Sequence, residues 1–329
     1  MRKWMFLFMG LLLLSGCGSP SQSEGKKKAD VTTEKIQTGV TYDASQFSTS
    51  DNVYASEMTV KKITVEQLLA ALDISASDIK EGTDADGQKT YTVQDKTYNL
   101  DQGEGYISLY CEKAGASAKK AKEEELQKQA ETIFSKWENL TGVKLDKDHI
   151  KVVDGEGDKG ITKEYECSQI YEGIPLVGNF NMDSPYEASS GKEPGEGNDV
   201  ILHGSYCFAE AVMDTSEWDI IGIQNFYEEK KKIKLEESLL DGDGVISYID
   251  SYIKNSDFPG TKYEAKEASL CYIPIPTSKG SDVVKLTPCW QVLVSGKENW
   301  IENGQKKEVQ SEHTFYVDAV SGYIYDVKN

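Results

Sequence analysis

The chain changes its hydrophobic rhythm several times. Trp4 to Leu14 is one unbroken apolar run, and large apolar residues are then scarce until about Val53. Thr64-Val-Glu-Gln67 has the capping-box pattern and is followed by Leu68, Leu69 and Leu72, which predicts a short helix over 65–73. "DADGQ" (84–88) reads as a turn, and the runs 89–100 and 106–112 read as strands. Leu126, Ala130, Ile133, Phe134, Trp137 and Leu140 recur at helical spacing within 116–140, with Lys and Glu on the other faces and Gly142 just past the end. Strand-like runs follow at 149–154, 162–171, 174–182 and 199–212, around a loop at 184–198 rich in Ser, Gly, Glu and Pro. The stretch "YEEKKKIKLEESLLDGDG" is linker-like. Beyond it, Val245, Ile246, Ile249 and Ile253 mark one face of a helix over 244–254, and strands follow at 262–275, 283–296, 309–318 and 322–327.

A helix followed by antiparallel strands thus occurs twice. The economical arrangement is α+β: two tandem units, each one helix packed on an antiparallel sheet, over 113–236 and 237–329, preceded by a small α+β unit over 53–112.

The opening run belongs to none of these units. At 11 residues it is far shorter than the ~20 a spanning helix needs. With Arg2 and Lys3 before it, it has the layout of a signal peptide over 1–16. "LSGC", Leu14 to Cys17, resembles the bacterial lipobox. That resemblance implies cleavage before Cys17, diacylglycerol on its thiol and a chain held on the extracytoplasmic face of a cell membrane, with a Gram-positive surface favoured. Residues 17–52 are too polar to offset their ordering entropy and read as a tether.

The net charge of −19 disfavours nucleic acid as a partner. Five cysteines lie beyond Cys17: Cys111, Cys167, Cys207, Cys271 and Cys289. The number is odd, none form CxxC, and each lies in an apolar or strand-like run. Buried thiols are the default, one or two disulfides are open, and spacing does not choose partners. The three histidines make no close ligand pair, and no nucleophile elbow, phosphate loop or dinucleotide fingerprint is present. No metal, no cofactor and no catalytic set is therefore expected. "LLDGDGVISYID" (239–250) places Asp241, Asp243, Gly244, Ile246 and Asp250 at positions 3, 5, 6, 8 and 12 of a calcium loop. Position 1 is Leu239 and position 12 is the shorter Asp, so the preferred reading is that Asp243 caps the following helix.

In "QIYEGIPLVGNFNMD" (169–183), Glu172-Gly173 suits a tight hairpin and Pro175 suits a strand start or edge. "YEGIPLVG", with Tyr171, Gly173, Pro175 and Gly178, resembles the signature of the prodomain (FTP) that precedes thermolysin- and fungalysin-type peptidases. "FYVDAVSGYIYD" (315–326), with Asp318 and Gly322, resembles the closing hairpin of PepSY domains. The layout is also similar to that of YycI-type regulators of an essential sensor kinase. These resemblances imply structural signature positions and a non-enzymatic module that binds or regulates a secreted peptidase or a sensor kinase ectodomain. The alternative expectation is a cleft between units for a small molecule, peptide or cell-wall fragment, lined by Trp218, Trp290 and Trp300.

Overall fold

The computed structural model describes residues 39–48, 52–94, 96–103, 105–111, 122–157, 160–178, 187–188, 200–201, 204–213, 217–255, 260–278, 281–302 and 305–325. In chain order the elements begin with β1 (Val40–Thr41), β2 (Glu57–Val60), α1 (Val65–Ala70), β3 (Lys80–Thr83), β4 (Lys89–Val93), β5 (Lys96–Gly103) and β6 (Tyr106–Cys111). They continue with α2 (Glu123–Thr141), β7 (Lys151–Gly157), β8 (Gly160–Ser168), β9 (Ile170–Tyr171), β10 (Ile174–Pro175), β11 (Glu187–Ala188) and β12 (Val200–Ile201). The remainder is β13 (Tyr206–Val212), β14 (Glu217–Gln224), β15 (Tyr227–Lys231), α3 (Gly242–Asn255), β16 (Gly260–Pro276), β17 (Val283–Glu302), β18 (Gln305–Asp318) and β19 (Ile324–Tyr325).

Local chemistry sets the helix ends. At α1 the Gln67 amide donates to Thr64 Oγ1 at 3.3 Å and the Thr64 amide donates to Gln67 Oε1 at 3.0 Å, a reciprocal capping box. Glu123, Glu124 and Glu125 complement the positive end of α2. At its other end Gly142 adopts φ 74° and donates to the Glu138 carbonyl at 2.8 Å. The start of α3 differs from the sequence reading. Asp241, not Asp243, accepts from the Gly244 amide at 2.9 Å, and Asp243 instead accepts a hydrogen bond from the Tyr42 hydroxyl.

Two large sheets carry the fold. The first has eight antiparallel strands in the order β3-β4-β5-β6-β14-β13-β8-β7. Its core holds Leu126, Phe134 and Trp137 of α2, Leu68 and Leu69 of α1, and Leu109, Tyr165, Cys207 and Ile221 from the strands. The second has seven strands. β1, β16, β17, β18 and β19 lie in line, β2 pairs with β17, and β15 pairs with β2. Val245, Ile246 and Ile249 of α3 close over its Trp290, Val292 and Phe315.

This corrects the expectation of α+β tandem helix-on-sheet units behind a separate N-terminal unit. The protein is mainly β-sheet, and its sheets do not follow the order of the sequence. Strands β3 to β6 join the first sheet edge to edge with β14, and β1 and β2 are claimed by the second. Pairing between distant segments is what a periodicity argument cannot see. Smaller corrections share that cause. The run 89–100 is a hairpin rather than one strand, folded at Gln94 with φ 56°. The linker-like "YEEKK" is β15, and β14 fell in a stretch with no assigned element. Cys17, the signal peptide and most of the tether and of the loop 184–198 lie outside the described residues.

Candidate functional site

The chain leaves the first sheet toward the second at two corners, after β8 and after β14, and densely hydrogen-bonded residues collect at both. The first corner runs from β8 through β9 and β10. Gln169 is 3% exposed. Its Nε2 donates to the Tyr227 carbonyl at 2.7 Å, and its Oε1 accepts from the Tyr227 amide at 2.8 Å and from Ser205 Oγ at 2.7 Å. Ser205 precedes β13 of the first sheet and Tyr227 opens β15 of the second, so one amide side chain clamps the two. The backbone repeats the link. Val177 N–H donates to the Tyr272 carbonyl and Ser205 N–H donates to the Val177 carbonyl, both at 2.8 Å. At the second corner, between β14 and β15, buried Asn225 adopts φ 47° and its amide donates to the Gly105 carbonyl at 2.6 Å. Asn tolerates that left-handed conformation better than most residues.

The signature positions of "YEGIPLVG" lie on the first corner. Glu172 (φ 51°) and Gly173 (φ 84°) form the turn between β9 and β10. The Tyr171 hydroxyl donates to the Glu229 carboxylate and lies 2.9 Å from Ser56 Oγ. Burial, then the Glu229 hydrogen bond, pushes that phenol up. Tyr54 and Tyr272 meet the Tyr171 ring edge to face, and Lys232 pairs with Glu172 and lies 4.5 Å over the Tyr54 ring. Pro175 pairs with Ile170. Gly178 lies beneath Gly204, where a Cβ would fall 1.8 Å from the Gly178 carbonyl oxygen. These contacts tie the β9–β10 turn to Ser56, Glu229 and Lys232.

Asp318 and Gly322 lie at the other end of the second sheet's hairpin, between β18 and β19. Asp318 Oδ1 accepts from Val320 N–H at 2.9 Å and Ser321 N–H at 2.7 Å. Gly322 has φ 75°, and a Cβ there would meet the Tyr248 ring of α3 at 2.1 Å. The two signatures share core packing: Tyr171, Ile174 and Leu176 lie in one cluster with Phe315 and Val317, and Val177 lies in another with Tyr316 and Tyr325.

A third constellation was not singled out from the sequence. Tyr165 and Cys167 of β8 point to the helix-bearing core, so Glu164 and Glu166 point the other way. Glu210 stands opposite Glu164, and Phe208 opposite Glu166. Glu166 is 5% exposed and lies 3.4 Å from Lys151 Nζ. Glu164 is pushed up to about 8, first by burial, then by its hydrogen bond with Glu166 and the charges of Glu166 and Glu210, with Lys151 opposing. "KEYEC" carried the alternation that pairs two of these carboxylates, but the third needed the register. Among the described residues no group of three or more His, Cys, Asp or Glu is arranged to hold a metal ion.

Two clefts complete the picture. One of about 590 Å³ runs between the sheets and is lined by Lys61, Lys62, Glu66, Tyr91, Tyr106 and Asp282, among others. The second, about 460 Å³, is lined by Lys234, Glu236, Lys285 and the Asp318 turn. Trp218 and Trp290, expected at a cleft, line neither. Trp290 is fully buried with Nε1 donating to the Leu240 carbonyl at 3.1 Å, and Trp218 packs on Tyr165. The side chain of Trp300 lies outside the described residues.

No protein-family model matches the chain, and no curated protein matches it. Among solved structures, an uncharacterized protein from Eubacterium rectale is similar, with a TM-score of 0.52 and 12% identity over 86% of this chain and 88% of that one. The likeness extends over nearly the whole of both chains and concerns the fold alone.

Proposed function

We propose that this chain is an exported, lipid-anchored, non-enzymatic module that binds or regulates another extracytoplasmic protein by strand addition along β7. One observation carries the reading, the contrast between the two edges of the first sheet. β3 ends one edge with Lys80, Glu81, Gly82 and Thr83, all exposed and polar, a composition that discourages further pairing. β7 ends the other, is paired in the sheet order with β8 alone, and presents Val152 at 38% and Val153 at 36% exposure, with Ile161 of β8 at 60%. Among the described residues no further strand pairs with β7, whose two valines lie between Lys151 and Asp154, and an unpaired edge is the template that strand addition uses. The lipobox-like Cys17 supports the anchor on the outer face of a cell membrane. The resemblance to peptidase prodomains, PepSY domains and YycI-type regulators supports a secreted peptidase or a sensor kinase as partner.

A photo-crosslinking residue at position 153, and separately at 81, tests this in native membranes. The expected outcome is one protein adduct from position 153, none from 81, and loss of the adduct with Val152→Lys. Such surface changes should alter stability by about 0.5 kcal/mol or less. Equal adducts from both positions, or none, would sink strand addition along β7.

The cleft of about 590 Å³ between the sheets favours a second reading, a small molecule, peptide or wall fragment bound there. A thermal-shift screen of those classes that gives no hit would count against it.

A further inference from the structure

The sheet registers pair four of the five described cysteines two by two. Cys167 of β8 stands directly opposite Cys207 of β13, and Cys271 of β16 directly opposite Cys289 of β17. No register shift interrupts either ladder at these positions. Residues directly opposed across an antiparallel pair share a face, with Cα atoms about 4.5–5.5 Å apart. That lies inside the ~4.4–6.8 Å a disulfide spans. The pairing admits no alternative. Cys111 of β6 is separated from Cys207 by β14 and lies four residues further along the ladder than Ile107, which shares the row of Ile223 and Cys207. Two strand spacings and four residues of rise put them roughly 16 Å apart. Cys271 and Cys289 belong to a different core cluster from the other three.

We propose that Cys167–Cys207 and Cys271–Cys289 are sites of oxidative modification, each forming a cross-strand disulfide by exchange with an extracytoplasmic protein or low-molecular-weight disulfide, and that Cys111 remains a thiol. In each pair one thiolate attacks a sulfur of the oxidant's disulfide and releases one thiol. The second cysteine then attacks the mixed disulfide and releases the other. Two electrons pass from the cysteine pair to the oxidant, and the two protons end on the two thiols released.

The fold also restricts when this happens. All four thiols are 0–2% exposed. Burial pushes Cys207 and Cys289 well above the ordinary thiol range and Cys271 up to about 12. A thiol without thiolate or access does not exchange. Oxidation therefore belongs to the interval before the strands pair, and the redox state present at folding is retained. The pairing rests on the register alone. Export, as proposed above, supplies the oxidant.

The test uses the full chain with Cys17→Ser, so that only the five described thiols are counted. It is denatured and refolded either in dithiothreitol or in a glutathione redox buffer, then alkylated in denaturant and mapped by mass spectrometry. After oxidative refolding, only Cys111 should be alkylated, with cross-linked peptides joining 167 to 207 and 271 to 289 and a higher thermal midpoint than the reduced form. Any cross-link to Cys111, or alkylation of all five, would overturn the pairing whatever the location of the chain. Glutathione disulfide added to the folded, reduced protein should oxidise it about 100-fold more slowly or worse than the denatured chain. Equal rates would overturn the locking. Recovery of the reduced chain from native membranes, with pairing intact in vitro, would count against export rather than register.

Discussion

The two sheets are similar in size and differ in how the chain supplies them. The first is assembled from two near-continuous pieces, 80–111 and 151–224, with one long amphipathic helix between them. The second draws β1 and β2 from the first sixty residues, β15 from the middle and β16 to β19 from the last seventy. Each has its own apolar core, so neither needs the other to bury its tryptophan. What joins them is both apolar and polar: Tyr171, Ile174 and Leu176, from the link between β8 and β13, bury in the second sheet's core, and Gln169, Ser205 and the Val177 backbone bond across the junction. The difference teaches that apolar patterning builds each layer here, while at the junction a few buried amides add directional bonds to an apolar contact. Such groups are costly to leave unpaired, which makes the junction specific as well as strong.

Three experiments would break or sharpen that contrast. The largest effect is expected from Gln169→Leu. It leaves the Tyr227 amide and carbonyl and the Ser205 hydroxyl without their buried partner, at a cost of about 3 kcal/mol. Scanning calorimetry should resolve two transitions in the variant where the parent shows one. A single, merely lowered transition would mean that apolar contacts join the sheets.

Gly322→Val should cost about 2 kcal/mol, because a branched residue is strained at φ 75° and its Cβ would meet the Tyr248 ring. The loss should fall on the second sheet alone, read as faster amide exchange in α3 with β8 and β13 unchanged. Uniform acceleration would show that the sheets open together.

The last experiment concerns Glu164 and the first sheet alone. Its unfolded carboxyl ionises near 4.5, whereas the folded group keeps its proton to about 8. Between those values the folded state holds the extra proton, so stability falls as pH rises from about 4.5 to about 8 and levels off above. The groups facing it are Glu166, Glu210 and Lys151. Urea titrations across this range should show a shallower slope in Glu164→Gln than in the parent. An identical slope would mean that the carboxylate row is solvated.

Legibility followed the same division. The three helices were readable because their signals are local: Thr64 with Gln67, the apolar stripe from Leu126 to Leu140 (of which Leu140 is exposed), and the isoleucines of α3. The Glu172-Gly173 turn was readable from its residue types. Sheet membership was not, because Met58 carries no mark that it will sit beside Val284, more than two hundred residues away. Gln169 was passed over because a glutamine between strands usually faces water, and its value here depends on Tyr227 arriving from the other corner. The Glu164–Glu166 pair was half visible in the alternation, and Glu210 came only with the register. The cysteines were visible, but which of them stand opposite each other across the strands was not.

Strand β17 has a consequence for the time course of folding. It is the common neighbour of β16, β18 and β2, and β2 leaves any machinery that makes or moves the chain from its N-terminus long before β17 does. The first sheet contains everything it needs once residue 224 has emerged, so it can form early. Val40 must wait for Tyr263, and Met58, which β15 can reach first through Glu229, still waits for Val284 on its other side. Contacts of such sequence separation give slow folding, because loop closure is completed before any pairing compensates it. A nascent chain halted near residue 280 would thus carry a finished sheet beside loose apolar strands, the form most exposed to proteases and to aggregation.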